Sequence, residues 1–202
     1  MLKAAIRIGP ADHGRRMSLA DFDHVKVQEG YLYELGRGVI VVIDVPKKRH
    51  LYQVDSIRDQ LSAYKLAHPG RIQIIAAGSE CKIMVTGYES ERHPDLAVYM
   101  TLPPEEDEDF WFIWIPELVI EVVSSGSKLR DYKEKREEYL AFGVGEYWIF
   151  DLEKREMLVL KRIGGRWRER IVRPPKVYQT RLFPGLRFSC AQVFQAANAT
   201  ER

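Results

Sequence analysis

The stretch PELVIEVVSS, residues 116–125, decides the fold of this chain. Its run of Val, Ile and Leu is typical of a strand that is buried on both faces of a sheet. Glu121 interrupts that run between Ile120 and Val122. Burying a carboxylate is costly unless another group pairs with it. The stretch therefore predicts a central strand that carries a functional carboxylate.

Predicted helices and strands surround this central strand. Ser18 is predicted to cap a short helix, and apolar spacing predicts longer helices over 49–67 and 129–142. CAQVFQAA, residues 190–197, is predicted to form a short final helix. Strands are predicted at 31–35, 38–45, 71–77, 82–87, 95–100 and 146–152, followed by a hairpin that turns at Gly164–Gly165. This order predicts an α/β fold, a mixed central sheet flanked by helices, with N- and C-terminal hairpins.

Length and charge set the domain organisation. A chain of 202 residues suits one domain, predicted over 18–202, preceded by a flexible arm over 1–17. The net charge of +2 does not by itself indicate a nucleic-acid-binding protein. The charges are patchy, however, with basic residues concentrated in 154–176 and an acidic run, EEDED, at 105–109. We interpret the acidic run as a solvated loop.

The cysteines and the apolar runs bear on location. Cys81 and Cys190 form neither a close pair nor a metal-binding spacing, so a reduced cytoplasmic protein is expected. The N-terminus lacks the apolar core of a signal peptide. Because no apolar run approaches the ~20 residues of a membrane helix, no membrane association is expected.

Two carboxylates point to metal chemistry. Asp95 opens the predicted strand DLAVYM, and Glu121 lies in the central strand. Carboxylates on adjacent central strands suit a divalent ion such as Mg²⁺, which prefers hard oxygen ligands. Such an ion can polarise a phosphodiester and activate a water. The alternative for Asp95 is an ordinary turn signal after proline.

Lys135 is a third candidate. A helix turns about 100° per residue, which places Lys135 on the inward face with Tyr132 and Tyr139, whereas Lys133 faces solvent. An inward ammonium near carboxylates can orient a water or neutralise developing phosphate charge. Alternatively, Lys135 bridges to Asp131, one turn away, and extends along the tyrosines.

These motifs together resemble a known signature. PELVIEVVSS, then Arg130-Asp131, then Lys135 and Tyr139, then GEYWIFD are similar to the pattern of a large bacterial family of restriction-endonuclease-like proteins. RHPDLAVYM, the YELGRGVIVV hairpin and the tail LFPGLRFSCAQVF match further parts of that pattern. The resemblance covers roughly residues 18–195, and the combined motif is specific where no single piece is.

The resemblance implies a PD-(D/E)xK nuclease core that uses Mg²⁺ or Mn²⁺. By position, Asp95 and Glu121 correspond to the metal ligands, and the carbonyl of Val122 completes the metal site. The usual pattern has lysine two positions after the glutamate, where this chain has Val123. The family's lysine therefore corresponds to Lys135 in the following helix. Further candidates for the site are Glu34, His50 and Asp131.

The resemblance also implies a function and partners. It implies a metal-dependent endonuclease that hydrolyses DNA phosphodiester bonds, expected as a homodimer. Candidate phosphate contacts are the basic residues of the predicted C-terminal hairpin, Arg162, Arg166, Arg168 and Arg170. The same residues equally suit an ordinary solvated sheet face. The alternative functions are a non-catalytic nucleic-acid-binding module and a protein-assembly module on a nuclease scaffold.

Overall fold

The computed structural model describes residues 6–43, 45–104, 110–124 and 126–198, so the acidic run 105–109 lies outside the described residues. The strands are β1 (Arg7–Ile8), β2 (Lys26–Val27), β3 (Leu32–Gly36), β4 (Val39–Ile43), β5 (Ile74–Ala76), β6 (Ile83–Val85), β7 (Ser90–Arg92), β8 (Leu96–Tyr99), β9 (Leu118–Val122), β10 (Glu146–Asp151), β11 (Glu156–Ile163), β12 (Arg166–Val172), β13 (Val177–Tyr178) and β14 (Phe188–Ser189). The helices are α1 (Leu19–Phe22), α2 (Lys48–Ala67), α3 (Lys135–Phe142) and α4 (Cys190–Asn198), and a π-helical turn over Arg130–Glu134 leads into α3.

A six-stranded sheet forms the centre, in the order β12-β11-β10-β9-β8-β5. β9 and β10 are parallel, whereas the other neighbouring strands are antiparallel. Every residue of β9 and β10 is buried, as an apolar run of this kind requires. The mixed central sheet predicted from the sequence is therefore confirmed.

Helices cover both faces of this sheet. On one face, Ile57 of α2 and Phe194 of α4 pack against Ile120 and Trp148. On the other face, Tyr139 of α3 packs in a separate cluster of buried side chains with Val119, Tyr147, Ile149 and Leu158. Glu121 lies opposite Ile149 in the register, so its side chain is on the face that α3 covers. No helix in the described part of the chain has the length and apolar character needed to cross a bilayer.

A second sheet has the order β4-β3-β7-β6. The β3–β4 hairpin turns at Arg37 and Gly38, which both have positive φ. β7 pairs with β3 through Leu35 and Glu91, and it was not predicted because its sequence, SER, has no apolar side chain. All three of its residues are nevertheless buried. Asp95 lies in the short connection between β7 and β8, so this sheet forms one side of the site.

The N-terminal segment differs from the flexible arm expected over 1–17. In its described part, β1 pairs with β2, and Arg16 forms a bridge with Val39. Ile8 is buried in a cluster with Phe22 and Leu35. This packing fixes residues 6–17 onto the hairpin. The predicted cap is present, since Ser18 Oγ accepts a hydrogen bond from the Asp21 amide at 3.1 Å.

Candidate active site

Asp95 and Glu121 lie side by side on neighbouring strands. Leu96 pairs with Ile120, so Asp95, directly before β8, lies opposite Glu121 on the same sheet face. Residues opposite each other in antiparallel strands have Cβ atoms about 4.5–5.5 Å apart. The Val122 amide donates a hydrogen bond to Asp95 Oδ2 at 2.7 Å, which holds the aspartate against the end of β9.

Lys135 joins this pair from the covering helix. Its Nζ donates to Glu121 Oε1 at 2.9 Å, and the lysine is buried. The hydroxyl of Tyr139, four residues further along, donates to the same oxygen at 2.8 Å. The role of Tyr139 as a second donor was not predicted from the sequence, although its spacing from Lys135 is visible there. Two donors from one helix thus fix one oxygen of a strand carboxylate.

Two more carboxylates surround the lysine. Lys135 Nζ lies 3.3 Å from Glu34 Oε1 and 3.8 Å from Asp131 Oδ1. The His93 amide donates to Glu34 Oε1 at 3.0 Å, and Ser127 Oγ donates to Asp131 Oδ2 at 2.5 Å. The structure therefore brings both of these additional candidates to the site.

The helix that carries Lys135 does not begin as predicted. An α-helix was expected over 129–142, but Arg130–Glu134 forms a π-helical turn, in which the Lys135 amide bonds to the Arg130 carbonyl. Such turns occur frequently at functional sites. Because the π-helical turn is wider than an α-helical one, the rotation of 100° per residue applies only from Lys135 onward. The direction of the Asp131 side chain therefore does not follow from α-helical spacing. Lys133 is exposed, as expected.

His50 reaches the site from the first turn of α2. Its Nε2 lies 3.0 Å from Asp95 Oδ1. Burial opposes protonation, but the hydrogen bond to Asp95 and the charges of Asp95 and Asp131 outweigh it and raise the pKa of the imidazole. His50 thus contacts Oδ1 of Asp95, whereas the Val122 amide contacts Oδ2.

The electrostatics of the site show a surplus of negative charge. Burial, with smaller effects of the Asp95, Asp131 and Glu34 charges, raises the pKa of Glu121 to about 8 against the opposing effect of Lys135. At Glu34, burial also acts upward, but Lys135 and Arg92 outweigh it and lower the pKa to about 2. Three carboxylates, those of Glu121, Glu34 and Asp131, therefore share Lys135 as their cation, whereas Asp95 contacts His50.

Arg92 supports the site from β7, and no sequence pattern predicted this role. It is fully buried, with Nε donating to Glu138 Oε2 at 2.7 Å and Nη1 to Glu34 Oε2 at 3.3 Å. A Cβ atom added at Gly36 would lie 2.8 Å from Arg92 Nη1. A side chain at position 36 would therefore displace this guanidinium, which ties the hairpin to α3.

The oxygen donors suit a divalent cation by type. In the described hydrogen bonds Glu121 uses only Oε1, and Asp131 Oδ1 is buried without a hydrogen-bond partner. Because the Val122 amide faces Asp95, the carbonyl of Val122 points to that side of the strand as well. The described His, Cys, Asp and Glu side chains form no group of three or more that could hold a metal ion. Two carboxylates and a backbone oxygen nevertheless fit Mg²⁺, which keeps several waters.

The basic hairpin β11–β12 does not join this cluster. Cross-strand pairing runs from Glu121 through Ile149 and Leu158 to Ile171, so these four side chains share one sheet face. The adjacent positions of β12 point to the opposite face, and they hold Arg166, Arg168 and Arg170. Arg162 shares the face of Glu121 but lies on β11, two strands from β9. Whether these arginines contact phosphate stays a prediction.

Comparison with known proteins gives the family and the fold of this chain. Residues 19–191 match the Uma2 family, whose description is "Putative restriction endonuclease". Among solved structures, "a putative nuclease belonging to DUF820 from Anabaena variabilis ATCC 29413" superposes with a TM-score of 0.72 at 16% identity, over 90% of this chain and 99% of that chain. This second likeness shows the fold. No curated protein matches the chain. The match over most of the chain confirms the resemblance carried by the motifs, and the chain belongs to the Uma2 family.

Proposed function

We propose that this chain is a metal-dependent endonuclease that hydrolyses phosphodiester bonds in DNA. The observation that carries the proposal is the meeting of Asp95, Glu121 and Lys135 on one sheet face, with Lys135 Nζ 2.9 Å from Glu121 Oε1. A buried carboxylate with a raised pKa beside a second carboxylate is typical of a functional site. Membership in a family described as nucleases supports DNA as the substrate.

Asp95, Glu121 and the carbonyl of Val122 would hold Mg²⁺ or Mn²⁺. When bound, such an ion polarises the phosphodiester and lowers the pKa of a coordinated water. The surplus of carboxylates explains why a cation belongs here, because without one the site would repel a phosphate. His50 and the Val122 amide orient Asp95 for this role through one oxygen each.

Lys135 acts as a cation in this proposal. Burial lowers its pKa, but Glu121, Glu34 and Asp131 outweigh burial and raise the pKa above its ordinary value. The ammonium therefore stays protonated and does not abstract a proton. It can orient the attacking water and neutralise charge that develops on the phosphate. Tyr139 fixes the Glu121 oxygen that faces the lysine, which leaves Oε2 for the cation.

Cleavage of supercoiled plasmid in Mg²⁺ or Mn²⁺ tests the proposal, with Glu121→Gln compared against Glu153→Gln. The side chain of Glu153 is 77% exposed, so the second variant controls for loss of a glutamate as such. Changes to groups around a metal ligand typically cost about 10–100-fold, so loss of the ligand itself is expected to cost about 100-fold or more. Absence of cleavage by the wild type in both metals and on every DNA form would favour a non-catalytic binding module.

Two further expectations accompany the proposal. The homodimer rests on the family resemblance, and the cytoplasmic location rests on the isolated cysteines, which are both free and buried. Both stay predictions. Sedimentation over a range of protein concentrations would measure self-association, and a purely monomeric chain would contradict the dimer.

A further inference from the structure

A groove of about 860 Å³ runs beside the candidate site, and Asp95 and His50 line it. One wall comes from the first turns of α2, including Lys48 and Tyr52. The opposite wall comes from the ends of β3 and β4 and includes Tyr31. The groove is near the upper end of ligand-pocket volumes, which are about 300–1,000 Å³. A ligand lying in it would reach the Asp95 carboxylate.

The walls expose large apolar side chains. Tyr31 is 47% exposed, Tyr52 is 43% exposed and Leu51 is 53% exposed. All three line the groove, so their exposure is concentrated in one concave place. Clustered apolar exposure of this kind marks a ligand-binding surface. A ligand with flat apolar faces would match the tyrosine rings.

Cations accompany the aromatic rings. Lys48 lines the groove and its Nζ lies 6.0 Å from the centre of the Tyr52 ring. Across the described residues, Lys48 has no carboxylate within ion-pair distance. Arg58, further along α2, also lines the groove, and it forms an exposed ion pair with Glu80 at 3.4 Å. Asp55 and Asp95 also line the groove, so its positive charge is concentrated where Lys48 lies beside the Tyr52 ring, which suits an anionic ligand that also carries rings.

Single-stranded nucleic acid has this combination of features. Unpaired bases expose their faces, which stack on aromatic side chains while a basic groove follows the backbone. In a duplex the base faces are stacked on one another, so the tyrosines would have only edges and sugars to contact. The exposed arginines on β12, Arg166, Arg168 and Arg170, lie four strands from β8, and none of them lines this groove.

We infer that the groove binds an unpaired DNA strand beside the scissile phosphate, so that the enzyme prefers single-stranded or unpaired DNA. This inference rests on the proposed function for the identity of the reaction, but the binding preference is measurable without turnover. Bases stacked on Tyr31 and Tyr52 would place the adjoining phosphate next to Asp95. Supercoiled plasmid, which opens locally, would then be nicked, whereas linear duplex would be spared.

Fluorescence anisotropy tests the inference with a labelled 20-nucleotide DNA strand, the same strand annealed to its complement, and an RNA strand of the same sequence, all in EDTA. We expect the single strand to bind at least about tenfold more tightly than the duplex. Tyr52→Ala is expected to weaken single-strand binding about tenfold, whereas Tyr52→Phe, which keeps the ring, should not. Leu66→Ala changes an exposed residue of α2 outside the groove and serves as the second control.

The outcomes separate the inference from the proposed function. Equal or tighter duplex binding, or an unchanged affinity in Tyr52→Ala, would overturn the inference even if the protein cleaves duplex DNA. A single-strand preference that needs the tyrosines would support it even if no metal produces cleavage, and only the proposed reaction would then fall. Stronger binding of the RNA strand would overturn the assignment of DNA as the ligand.

Discussion

Replacing Glu34 with glutamine removes one charge from the buried cluster while keeping the shape of the side chain. Lys135 and Arg92 lower the pKa of Glu34 from 4.5 to about 2, against the effect of burial. A change of one pKa unit corresponds to about 1.4 kcal/mol, so the charged form contributes up to about 3 kcal/mol to stability at pH 7. Glu34 is almost fully buried, so solvent screens this contribution little.

The sign of the pH dependence follows from the lowered pKa. The contribution is fully present above pH 4.5, the pKa in the unfolded chain, and is lost as the pH falls towards 2. At pH 3, less than about half of the contribution of Glu34 to the free energy of unfolding remains. The pKa of Glu121 shifts the other way, to about 8, and the destabilisation that this shift represents is largely the same in the wild type and in Glu34→Gln. Removing the charge of Glu34 reduces this destabilisation somewhat, so 3 kcal/mol is an upper value for the difference between the two proteins.

Urea unfolding of the wild type and Glu34→Gln, in EDTA and at a series of pH values from 7 to 3, measures this difference. We expect the variant to be less stable at pH 7, with a gap that narrows below about pH 4.5. Glu153→Gln, at an exposed position, should unfold like the wild type throughout. A gap below about 1 kcal/mol at pH 7, or one that does not change with pH, would refute the electrostatic reasoning.

Three further predictions concern neighbouring residues. Lys135→Met should reduce the cleavage rate about 100-fold. It should bind Mn²⁺ at least as tightly as the wild type, because the substitution removes a cation that competes with the metal for Glu121. Weaker Mn²⁺ binding of the variant by calorimetry would contradict this. Tyr139→Phe should cost about 1 kcal/mol of stability and about tenfold in cleavage rate, and equal rates would exclude a positioning role for its hydroxyl. Gly36→Ala should destabilise the fold by about 1–3 kcal/mol through the clash with Arg92, and an unchanged melting temperature would contradict that contact.

The core of the site could be predicted because its signals are local. Glu121 stands out in an apolar strand, and Asp95 opens the neighbouring one. The inward face of Lys135 follows from helical spacing that holds from that residue onward. The sheet that aligns these residues follows from the same pattern of buried and alternating strands.

The supporting contacts could not be predicted because they join distant segments. Arg92 and Glu138 are 46 residues apart, and a strand reading SER gives no apolar signal. The alternation of arginines in β12 correctly placed Arg166, Arg168 and Arg170 on one face. Which face that is depends on the register across four strands, which is a tertiary property. The π-helical turn before Lys135 likewise has no signal in the sequence pattern.

The most direct test of a metal-dependent nuclease centre at Asp95 and Glu121 is a Mn²⁺ titration. Bound metal is measured by electron paramagnetic resonance, and plasmid nicking is measured on the same samples. We expect bound Mn²⁺ and nicking to rise together in the wild type and in Glu153→Gln, and both to be lost in Glu121→Gln. Nicking that persists in Glu121→Gln, or Mn²⁺ binding that is unchanged by that substitution, would contradict a metal-dependent nuclease centre at Asp95 and Glu121.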